Sequence, residues 1–358
     1  MNRTGPTPLA LHLSLAAMSA GGDDARLESY MAGVRKYQLS SYQRDLTPLP
    51  EIWRLGTVTL SRIQGAAAPE LPPLLVIPSM INRSYILDLM SGFSCVRWLA
   101  GQGRDVILLD WGNSPQDPGQ ATLDQVVMER LIPAIAYVHE QYQTPVDMMG
   151  YCMGGTLLVS AACHAPEVMR RLVFLATPWD FDAGDRALQA QVLAWAISGQ
   201  SLMATTGVLP ASWAQTVFAC VDPAQVLNKF SAFADKPDED PDIARFVAVE
   251  DWLNDAADLP AGVARACIHD WYTHNQTQHQ KWRLGGKVIL PQHISHETLV
   301  VSAQNDRLVP PQSSQSLARS LLRFQELSVA TGHIGLLAGR KAVAQVWKPI
   351  SDFLQTES

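Results

Sequence analysis

A cysteine stands at the centre of G-x-C-x-G-G in VDMMGYCMGGTL, Val146 to Leu157, where a serine is the usual nucleophile. Such a sequence between a strand and a helix describes a sharp turn that forces its central residue into a strained backbone, with the side chain clear of the sheet edge. Gly150 and Gly154 are small enough for strand and helix to pack closely around the turn, and Gly155 permits a still closer approach. A helix N-terminus supplies partial positive charge and free N–H groups, which favour a thiolate and bind an oxyanion. The N–H of Met153 is therefore expected to be one oxyanion donor. The second is expected from the loop after PLLVIPS, at Met80 or Ile81. Taken alone, Cys152 also fits a buried apolar thiol.

Two partners follow in chain order. Asp306 closes the apolar run ETLVVSAQND, and His333 sits in TGHIG directly after FQELSVA. Nucleophile, acid, histidine is the order of the α/β-hydrolase arrangement, in which strand ends bring distant residues to one sheet edge. Asp306 also fits a carboxylate that caps the following helix, and His333 a satisfied structural histidine. His164, His269, His274 and His296 lack strand-end positions and are expected in surface or core roles.

The elements that must position these residues are legible as an alternation of short apolar runs and longer helical patterns. This predicts a mostly parallel sheet with helices on both faces. Strands are expected at Leu55 to Ile63, Pro73 to Ser79, Asp105 to Trp111, Val146 to Cys152, Arg171 to Thr177, Glu297 to Asp306 and Phe324 to Ala330. Helices are expected over 85–101, 122–142, 154–165, 312–322 and 340–354. From Phe181 to Pro291 the rhythm breaks, with no convincing parallel strand and with Trp195, Trp213, Trp252, Trp271 and Trp282. The organisation expected is an N-terminal helical segment (1–50), a core (51–180 and 292–358) and a helical cap insertion (181–291). The plain reading of that insertion is a packed cap with a tryptophan core. The sharper one is a mobile lid that gates a narrow channel, excludes water and offers surface to a homodimer or partner.

The 358 residues, of which 47% are hydrophobic and 17% charged, bury a large core without help from oligomerisation. A net charge of −7 and no basic run argue against nucleic acid as a partner. Five cysteines, odd in number and without C-x-x-C, favour reduced thiols in a cytoplasmic protein over disulfides or a zinc site. Pro8 to Gly22 is expected to form an amphipathic helix rather than a signal peptide, since it carries His12 and lacks a small-x-small cleavage site. No run is long and apolar enough to predict a transmembrane helix.

Taken together, the motifs resemble those of the polyhydroxyalkanoate (PHA) synthases. GYCMGG (Gly150 to Gly155) is similar to the family's G-x-C-x-G-G box, and NRSYILD (Asn82 to Asp88) to its N-[RK]-x-Y-[IM]-x-D segment. Asp110-Trp111-Gly112, ATPWDF (Ala176 to Phe181), NDRLVPPQSS (Asn305 to Ser314) and GHIG (Gly332 to Gly335) resemble further family motifs in the same order. The likeness spans about residues 25 to 355. It departs at Arg307, where the family commonly has a histidine, and in length, which resembles the short catalytic subunits. The resemblance implies an (R)-3-hydroxyacyl-CoA substrate, a separate non-catalytic synthase subunit (PhaE-like), association with polyester granules, and no metal or organic cofactor. It implies Cys152, Asp306 and His333 as catalytic residues. A thiolate that attacks a thioester exchanges one thioester for another of similar energy, so the acyl group stays activated for transfer to a hydroxyl. Either His333 or Asp306 is expected as the base for that hydroxyl. The nearest competing readings are a cysteine-type hydrolase, such as an intracellular PHA depolymerase or thioesterase, and a catalytically idle scaffold on granules.

Overall fold

The computed structural model describes residues 3–65 and 71–356. Its main sheet has eight strands: β1 (Glu51–Leu55), β2 (Val58–Ile63), β3 (Leu74–Ile77), β4 (Val106–Asp110), β5 (Val146–Tyr151), β6 (Met169–Leu175), β7 (Glu297–Ala303) and β8 (Phe324–Val329). They lie in the order β1-β2-β4-β3-β5-β6-β7-β8. The last six run parallel, and β1 and β2 form an antiparallel hairpin on one edge. The central strands are apolar on both faces because both are covered, as a parallel sheet demands. Leu75, Ile77 and Met148 face a core shared with helices at 132–142, 153–164 and 311–320. Leu74, Val76 and Met149 face the opposite core, closed by helices at 95–100 and 348–355.

Three expectations need correction. Leu55 to Ile63 is not one strand: Gly56, at φ +59°, turns the chain between β1 and β2, and the Thr57 N–H donates to Asp117. The helix expected over 85–101 is a 3₁₀ turn, Ser84–Leu87, then a small hairpin, then a helix only at Cys95–Ala100. There Asp88 collects Ser94 and Arg97 from just downstream and Arg44 from far upstream, side-chain bonds that override local helical preference. The helix over 122–142 forms, but Val126–Leu131 is π-helical ahead of Pro133, which has no N–H for the preceding turn. Pro349 follows a second π turn, Val343–Trp347, in the same way.

Beyond β6 the chain leaves the sheet. Helices α6 (Ala187–Thr206), α7 (Ala211–Val221), α8 (Pro223–Ala234) and α9 (Asp242–Asn254) and a π-helical turn, Cys267–Thr273, make up most of the insertion. Phe181 stacks on Trp271 at 5.6 Å between ring centroids, Trp271 meets Trp282 edge to face at 5.6 Å, and Trp213 and Trp252 are also buried. Trp195 is the exception, exposed on α6.

The N-terminal helices, α1 (Leu9–Ala20) and α2 (Asp24–Gln38), pack on the cap rather than on the sheet. Gly33 makes this possible, because a Cβ there would lie 1.9 Å from the carbonyl oxygen of Phe230 on α8. Arg3 anchors the segment, donating to Asp251 at 2.8 and 2.7 Å.

Candidate active site

The turn after β5 has the geometry its glycines foretell. Cys152 sits at φ +53°, ψ −126°, a region costly for a residue with a Cβ, and its N–H donates to the Leu175 carbonyl at 2.8 Å. The glycines interlock around it. A Cβ on Gly150 would fall 2.4 Å from the Gly155 Cα, one on Gly154 2.2 Å from the Ile77 carbonyl oxygen, and one on Gly155 1.8 Å from the Thr177 hydroxyl. Helix 153–164 therefore starts directly behind the sulfur, with Met153 as its first residue.

Asp306 and His333 stand in the loops after β7 and β8, three and four residues beyond the strand ends. His333 Nδ1 meets Asp306 Oδ2 at 2.6 Å. The other carboxylate oxygen, Oδ1, accepts from the Leu308 and Val309 N–H groups at 2.9 and 2.8 Å. Asp306 thus ties down its own loop as well as the imidazole, while the following helix is entered through Pro310 instead. Burial by itself works against a charged imidazole. The Asp306 carboxylate, bonded to Nδ1, and the nearby Cys152 sulfur outweigh it and hold the histidine well above its ordinary value. The three residues singled out by motif and order are brought together.

They border two cavities. An inner one of about 100 Å³ is lined by Cys152, Tyr151, Met153, Ile81, Trp271 and Tyr272, among others. An outer one of about 730 Å³ is lined by Asp306, Arg307, His333, Asn82 and side chains of α7, α8 and α9. His333, Ile334 and Leu308 border both. Ile81, expected as an oxyanion donor, faces the inner cavity with Met153, and its N–H rests on the Ser79 hydroxyl at 3.2 Å. Met80 is buried in the core instead.

Several site residues were not legible beforehand. Trp252, Trp271, Tyr272 and Cys267 come from the cap, and nothing in their local pattern distinguishes a cavity wall from a cap core. Burial, with Asp270 second, pushes the Cys267 thiol up; burial also pushes Tyr272 up, so both stay protonated. Arg307 reaches the cap, pairing with Asp222 at 2.8 Å and Asp185 at 3.3 Å. His164 and His296 place Nε2 on the Leu284 and Pro166 carbonyls, away from the site. None of the five cysteines is in a disulfide, and no helix among the described residues is long and apolar enough to cross a membrane.

A family model described as alpha/beta hydrolase fold matches residues 72–339. The chain is 28% identical over 291 residues to the poly(3-hydroxyalkanoate) polymerase subunit PhaC of Haloferax mediterranei, an alignment that covers 80% of this chain and 59% of that protein. It is 29% identical over 297 residues to the protein of the same name from Allochromatium vinosum, covering 82% of this chain and 83% of the other. Among solved structures, MenH from S. aureus is similar with a TM-score of 0.54 at 13% identity, over 83% of this chain and 97% of that one. A hydrolase from Pseudomonas aeruginosa is similar with a TM-score of 0.52 at 15% identity, over 87% of this chain and 100% of that one. At such identities the structural likenesses speak to the fold alone.

Proposed function

The chain belongs to the α/β-hydrolase fold family, and from that premise we propose that it is the catalytic subunit of a PHA synthase, polymerising (R)-3-hydroxyacyl-CoA through an acyl chain held on Cys152. The observation that carries this reading is a thiol, rather than a hydroxyl, in the strained turn, facing a small cavity whose walls are largely aromatic and aliphatic. Similarity to polymerase subunits over four-fifths of the chain supports it.

In the proposed cycle His333 takes the proton of Cys152. The sulfur attacks the thioester carbonyl, the C–S bond to CoA breaks, and CoA leaves with a proton. The N–H groups of Met153 and Ile81 hold the oxyanion. For Ile81 that means exchanging the Ser79 hydroxyl for a charged acceptor. The 3-hydroxyl of the next (R)-3-hydroxyacyl-CoA then loses its proton and attacks the acyl-cysteine: the new C–O ester bond forms, the C–S bond to Cys152 breaks and the thiol is restored, and the chain, one unit longer and now on CoA, re-acylates Cys152 with release of that CoA. Between the two candidate bases, His333 is favoured, because Asp306 already has Oδ1 on two N–H groups and Oδ2 on the imidazole. Asp306 orients His333 and stabilises its cation.

A cysteine-type hydrolase differs only in whether water reaches the acyl-cysteine, and the apolar inner cavity favours exclusion. In the same reading the protein works in the cytoplasm at polyester granules, as a homodimer with a PhaE-like subunit. Leu193 and Ile197, exposed one turn apart on α6, and Trp195 and Leu202, exposed on the other side of the same helix, offer apolar surface for such contacts. The test is to incubate the purified protein with (R)-3-hydroxybutyryl-CoA and follow CoA and product together. CoA release with growing polymer, both lost in Cys152→Ala, is the expected result. Free 3-hydroxybutyrate without polymer would replace synthase by hydrolase, and full activity in Cys152→Ala would remove the nucleophile assignment.

A further inference from the structure

We propose that Tyr151, the residue immediately before the sulfur, is a positioning residue for His333: its ring backs the face of the imidazole and favours the imidazolium formed when the histidine takes a proton. This rests on the reading that His333 takes its proton from Cys152.

Strand alternation puts Tyr151 on the same sheet face as Met149, in the core opposite that of Met148. It is 2% exposed, and its ring centroid lies 5.1 Å from that of His333 with the planes 33° apart. That is within the roughly 6 Å over which an aromatic face attracts a cation, an attraction strongest where water is excluded. The two contacts on the imidazole are complementary. Asp306 holds one edge through Nδ1 but leaves the ring free to tip about that bond, and Tyr151 lies against the face that tipping would move. The Tyr151 hydroxyl, in contrast, is buried without a hydrogen-bond partner. Burial first, then Cys152 and Asp306, keep it protonated, which leaves it no part in proton transfer. What Tyr151 contributes is therefore its ring.

The experiment measures alkylation of Cys152 by iodoacetamide from acid to alkaline pH, reading the Cys152 adduct by mass spectrometry so that the other thiols do not interfere. Wild type is compared with Tyr151→Phe, which keeps the ring, and with Tyr151→Leu and Tyr151→Met, which fill space without one. Polymer formation is followed in parallel. The Phe curve is expected to superimpose on wild type. The Leu and Met curves are expected to move to higher pH by about half to one unit, with alkylation near neutrality slower by about three- to tenfold, and with kcat lowered while KM holds. If Leu fails to fold, as judged by circular dichroism, Met supplies the same comparison. Superposition of the ring-less variants on wild type overturns the proposal, as does a Phe curve displaced as far as Leu, which would credit the hydroxyl. Absence of polymer in every protein counts against the synthase reading alone, since the alkylation curves still decide about Tyr151.

Discussion

At the residue scale the site trades stability for reach. A Cβ at φ +53°, ψ −126° costs about 1–3 kcal/mol, and only the surrounding packing holds it there. Two variants isolate that cost. Cys152→Ala and Cys152→Gly both lack the sulfur and differ only in the Cβ. Relief of strain in the glycine variant, offset by about 0.5–1 kcal/mol for its looser unfolded chain, leaves it more stable by about 1 kcal/mol. Equilibrium unfolding in denaturant checks this, and an alanine variant as stable as the glycine one would show that the turn is not strained. The convergence of Cys152, Asp306 and His333 was legible in the sequence because turn, strand end and chain order each constrain them. Tyr151 was not, because its role depends on what packs above it, and a G-x-C motif leaves the x unspecified. Nor was the division of Asp306 between loop and imidazole, since a carboxylate that caps and one that orients look alike in sequence.

At the scale of elements, what could be read follows from burial. The central strands are continuous apolar runs because both faces are covered, so β3 to β7 were found to within three residues at each end. β1 was missed because it is an exposed edge strand with a mixed pattern and a two-residue turn. The docking of α1 was not legible either, and it carries a pH dependence. His12 is 8% exposed against α8, its Nδ1 has no partner, and burial, followed by the charge of Lys229, pushes it down to about 4. A native value below the free one means that the detached chain binds the proton more readily. Docking is thus at full strength above about pH 6.5 and weakens as pH falls towards the native value, by up to about 3 kcal/mol. Limited proteolysis within residues 9–20 should accelerate on acidification in the wild type and much less in His12→Leu. Equal acceleration in both would assign the acid sensitivity to carboxylates elsewhere.

At the scale of the whole molecule, the proposed chemistry depends on a cap that stays closed while an activated thioester waits beneath it. The cap's interior is aromatic, but its rim meets the core through ion pairs: Arg307 with Asp222 and Asp185, Arg83 with Asp255, and Arg340 with Asp242. Arg307 is the most consequential of these, because it directly follows Asp306 and its partners lie just before α6 and at the start of α8. Its chemistry also rationalises the departure from the histidine common in the resembling family, since a guanidinium spans two carboxylates where a neutral imidazole would not. Exposed pairs of this kind are worth about 0.2–1 kcal/mol each and weaken with salt. Fold and reacting geometry therefore survive their loss, while the fraction of time the cap is open rises. Arg307→Ala is accordingly expected to leave Cys152 alkylation near the wild-type rate but to raise the ratio of free 3-hydroxybutyrate to polymer by about two- to fivefold. Added salt should do the same to the wild type and less to the variant, which keeps only the Arg83 and Arg340 pairs for salt to weaken. An unchanged ratio would mean that water is kept out by the inner aromatic wall alone, and a lost Cys152 reactivity would mean that Arg307 acts on Asp306 rather than on the cap.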